Sequence, residues 1–94
     1  MTFEEMELWE IVIPGNIAYR DWYEKIQHLI SGYMLYQAAI NGYWKSIEET
    51  SRVFRIACDE TTIKWICEIT AKEFDQDCVM CYRISNHCLL GHKE

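Results

Sequence analysis

Five side chains near the carboxyl end carry the most reactive chemistry in the chain: Cys78 and Cys81, spaced Cys-x-x-Cys, then His87, Cys88 and His92. Thiolate and imidazole together form a ligand set that suits zinc. The local pattern argues against that use. A zinc-binding Cys-x-x-Cys belongs in a turn, whereas Cys78 to Ile84 reads as a strand, with Met80, Tyr82 and Ile84 opposite Val79, Cys81 and Arg83. Residues three apart in a strand point to opposite faces. A redox pair wants its first cysteine at a helix start, where the dipole stabilises thiolate; this one follows a helix end. No metal is expected. The five cysteines (Cys58, Cys67, Cys78, Cys81 and Cys88) are odd in number and nothing points to export, so they read as thiols, with burial the usual fate of such residues.

Other catalytic arrangements are thin. Nucleophilic catalysis needs a nucleophile, a base and an orienting group. His28 falls on the outer face of a helical pattern, His87 and His92 fall in a polar tail, and no Ser or Cys stands in a Gly-rich elbow. Glu48-Glu49 and Asp75 with Asp77 are paired carboxylates, but neighbouring acids on a loop are ordinarily just solvated. The four glycines are dispersed, so no phosphate cradle is present. The chain is expected not to be an enzyme and to need no cofactor.

The elements that position these residues follow from periodicity. Leu8 to Ile13 alternates, with Trp9, Ile11 and Ile13 on the core face, and Pro14-Gly15-Asn16 stops the strand. Asn16 is placed to cap a helix whose stripe is Tyr19, Trp22, Ile26, Leu29, Ile30 and Tyr33, with Ser31-Gly32 as its stop. Tyr33 to Ile40 reads as helix or strand. Gly32 and the following Asn41-Gly42 favour a strand ending in a hairpin turn. Tyr43 to Ile47 leads back, Glu48 to Ser51 interrupts as a bulge or loop, and Val53 to Cys58 resumes. Asp59 opens a second helix with a stripe of Ile63, Ile66, Cys67, Thr70 and Phe74. Trp65 and Ile69 form a second apolar edge, and Asp75 to Asp77 ends the helix. Cys78 to Ile84 is the last strand, and Ser85 to Glu94 a mostly polar tail.

Ninety-four residues make one domain, residues 1–94. The order β-α-β-β-α-β predicts an α+β, ferredoxin-like fold: a four-stranded antiparallel sheet with two helices on one face. The alternative is an α-rich fold in which residues 17 to 40 form one long helix. No apolar run reaches the roughly 18 residues of a membrane helix, and the acidic amino terminus lacks the basic start of a signal peptide. A cytoplasmic location and no membrane partner are expected.

Fifteen acids against nine bases give a net charge of −6. That argues against a general nucleic-acid binder, which needs a basic face, and is compatible with docking against a protein with a basic surface. Four Trp and six Tyr exceed what one small core easily hides, and such residues anchor interfaces. Trp44, Glu48, Glu49, Asp75 and Asp77 are the expected partner-binding residues.

Two resemblances bear on function. Gly42-x-Trp44, Glu49-x-Ser51-x-Val53 and Phe74-x-Gln76-x-x-Val79 resemble a pattern in a family of small bacterial domains of unknown function, across residues 42 to 84. This likeness implies a β-α-β second half and no reaction. In size, acidity, aromatic content and lack of catalytic machinery the chain resembles small phage-encoded inhibitors of host defence, including anti-CRISPR proteins. That likeness implies a non-enzymatic phage or mobile-element protein in the host cytoplasm, blocking a CRISPR-type nucleic-acid-binding complex through an acidic and aromatic surface. The alternatives are a homodimeric ferredoxin-like protein enclosing a small-molecule site, a small oxygenase among them, or a structural subunit of a larger assembly.

Overall fold

The alternation of branched and aromatic residues that begins the chain produces β1 (Thr2–Pro14), and its odd positions Trp9, Ile11 and Ile13 are all buried. The computed structural model describes residues 1–15, 18–30, 34–44 and 47–94, with 34–44 and 47–49 described by backbone alone. Across these residues follow α1 (Arg20–Ile26), a 3-10 turn (Gln27–Leu29), β2 (Met34–Trp44), β3 (Ile47–Cys58), α2 (Glu60–Glu73) and β4 (Cys81–His92). The result is an α+β fold in which two helices cover one face of an antiparallel sheet. Among the described residues the strand order is β2-β3-β1-β4, so β1 and β3 lie inside and β2 and β4 form the edges.

The first helix is shorter than its apolar spacing suggests. It begins after Tyr19, which makes no side-chain cap, and ends in the 3-10 turn; Trp22 and Ile26 are its buried residues. The expected Asn16 cap, the Ser31-Gly32 stop and Tyr33 lie outside the described residues. The second helix starts as read: Asp59 Oδ1 accepts a hydrogen bond from the Thr62 amide at 2.7 Å. It ends at a left-handed residue, Asp75 (φ 49°), where the Gln76 amide donates to the Ala71 carbonyl. This six-to-one bond is a Schellman closure, satisfying a carbonyl the helix would leave open. Of the proposed outer edge, Trp65 is 58% exposed, while Ile69 packs against the core.

The hairpin turn is not at Asn41-Gly42. Both residues continue β2, where Gly42 registers with Glu49 and the last pair is Trp44 with Ile47. The irregularity expected at Glu48 to Ser51 falls on the facing strand instead, between Gln37 and Ile40, and β3 runs through unbroken. Local turn propensity has been overridden by pairing with a long β3, which continues four residues past the β1 partner Ser51. Gly15 permits the close approach there: its amide reaches the Thr50 carbonyl at 2.7 Å, and an added Cβ would sit 2.7 Å from the same oxygen.

The last strand also begins and ends later than expected. Cys78 to Met80 precede it, and the supposed tail is its body, pairing antiparallel with β1 from Cys81 opposite Ile11 to His92 opposite Thr2. Because β3 stops at Cys58, opposite Glu7, the stretch Thr2–Met6 with Cys88–His92 extends beyond it as a two-stranded ribbon. Its alternation was obscured by polar residues on both faces, which a solvated ribbon tolerates.

The core lies between the helices and the sheet. Trp9, Ile11, Ile13, Phe54, Ile56 and Cys58 meet Trp22, Ile26, Ile63, Ile66 and Phe74 in one cluster. Trp22 packs edge-on to Phe54 at 5.0 Å between ring centroids, and its indole N–H donates to Thr70 Oγ1 at 2.7 Å. The Thr70 hydroxyl in turn donates to the Ile66 carbonyl at 2.6 Å. Replacing Thr70 with Val keeps the shape and strips the acceptor from a fully buried indole. Thr70→Val is expected to destabilise the fold by about 1–3 kcal/mol, the desolvation cost of an orphaned buried donor, measured by urea unfolding with an unchanged slope. A loss below a few tenths would show that the indole finds another acceptor.

Candidate functional site

The five zinc-type ligands do not converge. Cys78 is exposed on the connection before β4, Cys81 and Cys88 are half-buried on the strand, and His87 and His92 are exposed. Cys81 to His92 spans roughly 36 Å along an extended strand. Both histidines face carboxylates of β1: His87 Nδ1 lies 2.6 Å from Glu5, and His92 Nε2 lies 3.3 Å from Glu4. No metal-holding group of three or more His, Cys, Asp or Glu side chains occurs among the described residues. Cys58 is a buried thiol and Cys67 a half-buried one, each pushed up to about 12 by desolvation, so both stay protonated. Reading Cys78 and Cys81 as two positions of one strand is corrected by the later start of β4. His28 lies in the exposed 3-10 turn.

The five expected partner-binding residues sit at one end of the molecule. β1 ends at Pro14, opposite Ser51, and the β2–β3 hairpin continues past that point to Trp44 and Ile47. Trp44, Glu48 and Glu49 therefore lie on the projecting hairpin by backbone register; their side chains are outside the described residues. α2 runs back toward the same end, and the Met80 carbonyl accepts from the Val12 amide at 3.0 Å. The connection carrying Asp75 and Asp77 is thus held beside the end of β1. Both aspartates are exposed and make no ion pair among the described residues. Several other acids are matched, Glu73 with Lys25, Glu60 with Lys64 at 3.6 Å and Glu7 with Arg83 at 3.4 Å, while Asp21, Glu24 and Glu68 on the helices also make no ion pair among the described residues.

A third feature escaped the sequence reading. On the sheet face opposite the helices, Glu10 is 6% exposed and lies at the centre of a polar cluster. Arg55 Nε donates to one carboxylate oxygen at 2.7 Å, and the Tyr82 hydroxyl donates to the other. Register places Leu8, Val12, Val53 and Ala57 around it, with Val53 and Ala57 buried. The Tyr82 hydrogen bond first, then the Arg55 guanidinium, hold the Glu10 carboxyl below the usual carboxylate range, against burial, which acts the other way. The same bond pushes the Tyr82 phenol up. The available signal was a carboxylate in the middle of a strand otherwise branched and aromatic. No described helix is long and apolar enough to cross a membrane.

No protein-family model and no curated protein matches the chain. Among solved structures it is similar to CPII, a nitrogen regulatory PII-like protein from Thiomonas intermedia K12, determined bound to ADP, AMP and bicarbonate. That likeness covers 99% of this chain and 100% of the other, with a TM-score of 0.65 and 11% sequence identity. At that identity it speaks for the fold alone.

The Glu10 cluster makes a pH prediction. A carboxyl whose folded pKa lies below its unfolded value stabilises the fold above the ordinary carboxylate range and loses that contribution as pH falls through the folded pKa. The stability difference between the wild type and Glu10→Gln is expected to be largest near pH 6–7 and to shrink as pH falls to about 3, read by urea midpoints. A difference independent of pH would mean that Glu10 acts through packing rather than charge.

Proposed function

We propose that this chain is a non-enzymatic protein-binding inhibitor, phage or mobile-element encoded, that occupies the basic surface of a host-defence complex of the CRISPR type and keeps nucleic acid from it. The observation that carries this reading is that Asp75 and Asp77 lie beside the end of β1 past which the hairpin with Trp44, Glu48 and Glu49 projects, with the two aspartates unmatched by any described base. Unmatched acids at a protruding end pair with the partner's Arg and Lys, so association is fast and salt-sensitive, while aromatic side chains supply the buried anchor. The β2–β3 ladder holds the hairpin, and the closure of α2 at Gln76 with the Val12–Met80 hydrogen bond holds the connection that carries Asp75 and Asp77.

The likeness to a PII-like protein bound to adenine nucleotides and bicarbonate favours one second reading, a self-associating small-molecule-binding protein of ferredoxin-like fold. The two readings separate in one pair of measurements. A tagged chain is passed through bacterial lysate at low and high salt, and the purified chain is titrated calorimetrically with ADP and AMP. Retention of a defence complex at low salt, lost at high salt, with no nucleotide heat supports the inhibitor. A homo-oligomer that binds nucleotide and retains no such complex overturns it.

The inhibitor reading also predicts a charge dependence. Reversal of both acids on either element, Glu48→Lys with Glu49→Lys or Asp75→Lys with Asp77→Lys, is expected to slow association with the captured complex on the order of tenfold at low salt and to flatten its salt dependence. Surface plasmon resonance across a salt series checks this, and unchanged rates in both double variants would sink the acidic mechanism.

A further inference from the structure

The structure gives Cys81 a different companion from the Cys78 suggested by sequence spacing. Cys67 stands on α2 next to the buried Ile66, and Cys81 opens β4 opposite Ile11. Both pack against the same buried cluster and both are half-buried; after burial, the neighbouring Cys81 thiol is the next cause that pushes the Cys67 thiol up to about 12. Cys78 is exposed on the connection and takes no part in this cluster. We propose that Cys67 and Cys81 are a disulfide-forming pair that a peroxide closes, stapling α2 to β4. This goes beyond the inhibitor reading and does not depend on it.

The chemistry balances with one peroxide. Cys81 is half-buried on an edge strand of the sheet, and in the proposed first step its sulfur attacks a peroxide oxygen. The O–O bond breaks, a sulfenic acid forms, and hydroxide leaves and takes the thiol proton as water. The Cys67 sulfur then attacks the Cys81 sulfur; the S–O bond breaks, and the Cys67 proton goes to the departing hydroxide. Two thiols are oxidised, one hydrogen peroxide is reduced, and two waters result. Burial keeps Cys67 protonated in the resting protein, which suits a resolving thiol held in contact better than a freely reactive one. The closed ring runs from residue 67 to 81 and contains Asp75 and Asp77, so oxidation restrains the connection that carries both acids.

The test is peptide mapping of the folded protein. The chain is treated with hydrogen peroxide without denaturant, free thiols are alkylated, and the product is digested with trypsin and analysed by mass spectrometry. Cleavage after Lys64, Lys72 and Arg83 puts Cys67 in one peptide, Trp65–Lys72, and Cys78 with Cys81 in another, Glu73–Arg83. The expected product is a cross-link between these two peptides that dithiothreitol reverses, that persists in Cys78→Ser and disappears in Cys81→Ser. The oxidised wild type is also expected to melt on the order of 10 °C higher than the reduced form, because the ring restricts the unfolded chain. A Cys78–Cys81 bond within the second peptide, or a fully alkylated Trp65–Lys72 after oxidation, overturns the proposal. Fragmentation of the cross-linked wild-type peptides assigns the bond to Cys81 or to Cys78, a Cys67–Cys78 bond also overturning the proposal, so a variant that fails to fold leaves the test decisive.

Discussion

Everything on the helical side of this molecule depends on where Trp22 is allowed to sit. α1 has only seven residues and no side-chain cap at its start, far short of what an isolated helix needs to persist in water. It exists because Trp22 and Ile26 are driven into the space between the sheet and α2. Trp22 meets Phe54 of β3 and Phe74 at the end of α2, with centroids 5.0 and 6.0 Å away. Its N–H is satisfied by Thr70 on the neighbouring helix. One side chain thus joins three elements, and its hydrogen bond fixes the rotation of α2 about its own axis. Lys25 with Glu73 ties the same two helices at the surface, but exposed ion pairs contribute little. The buried contact sets the geometry.

On the sheet side the governing element is β1, which is paired along both edges only over its middle, from Glu7 to Ile11. From Glu7 to Pro14 it lies against β3, and from Thr2 to Ile11 against β4. The offset stretches the molecule to 48 Å in one direction against 23 and 22 Å in the others. At one end the β2–β3 hairpin overshoots β1; at the other the ribbon of β1 and β4 overshoots β3. Two-stranded ribbons have no buried face and are held by cross-strand pairs. His87 with Glu5 and His92 with Glu4 are such pairs, and they give these histidines a structural use.

Where a face is buried, the pattern in the sequence was readable. Trp9, Ile11 and Ile13, the stripe of α2 and the Asp59 cap were legible because burial on one side forces a period of two or 3.6. Single-residue turn chemistry was the poorer guide. Asn41-Gly42 carries a strong hairpin signal, yet both residues remain in β2, because pairing with β3 to Ile47 satisfies more backbone groups than an early turn would. The carboxyl-terminal strand was hidden for the opposite reason: with both faces solvated, Ser85 to His92 has no alternation to read. The candidate acids at the hairpin and at Asp75 and Asp77 were visible as composition. That the hairpin acids lie past the end of β1 follows from register, and that Asp75 and Asp77 lie beside that end follows from the Val12–Met80 hydrogen bond, neither of which a single segment contains. The Glu10 cluster was invisible for the same reason, since Arg55 and Tyr82 are brought to it by pairing across two ladders.

Charge closes the account of why the acids matter where they do. A net −6 could be spread evenly and serve only solubility. Instead many carboxylates are used internally: Glu10 with Arg55 and Tyr82, Glu7 with Arg83, Glu73 with Lys25, Glu60 with Lys64, Asp59 on a helix amide. The surplus falls to residues such as Asp75 and Asp77. Asp75 moreover holds a left-handed conformation that glycine or asparagine would adopt with less strain. A helix terminus that needed only to stop would be better served by either. An acid there, beside the end of β1 where the hairpin projects, is the charge that the proposed docking surface would use.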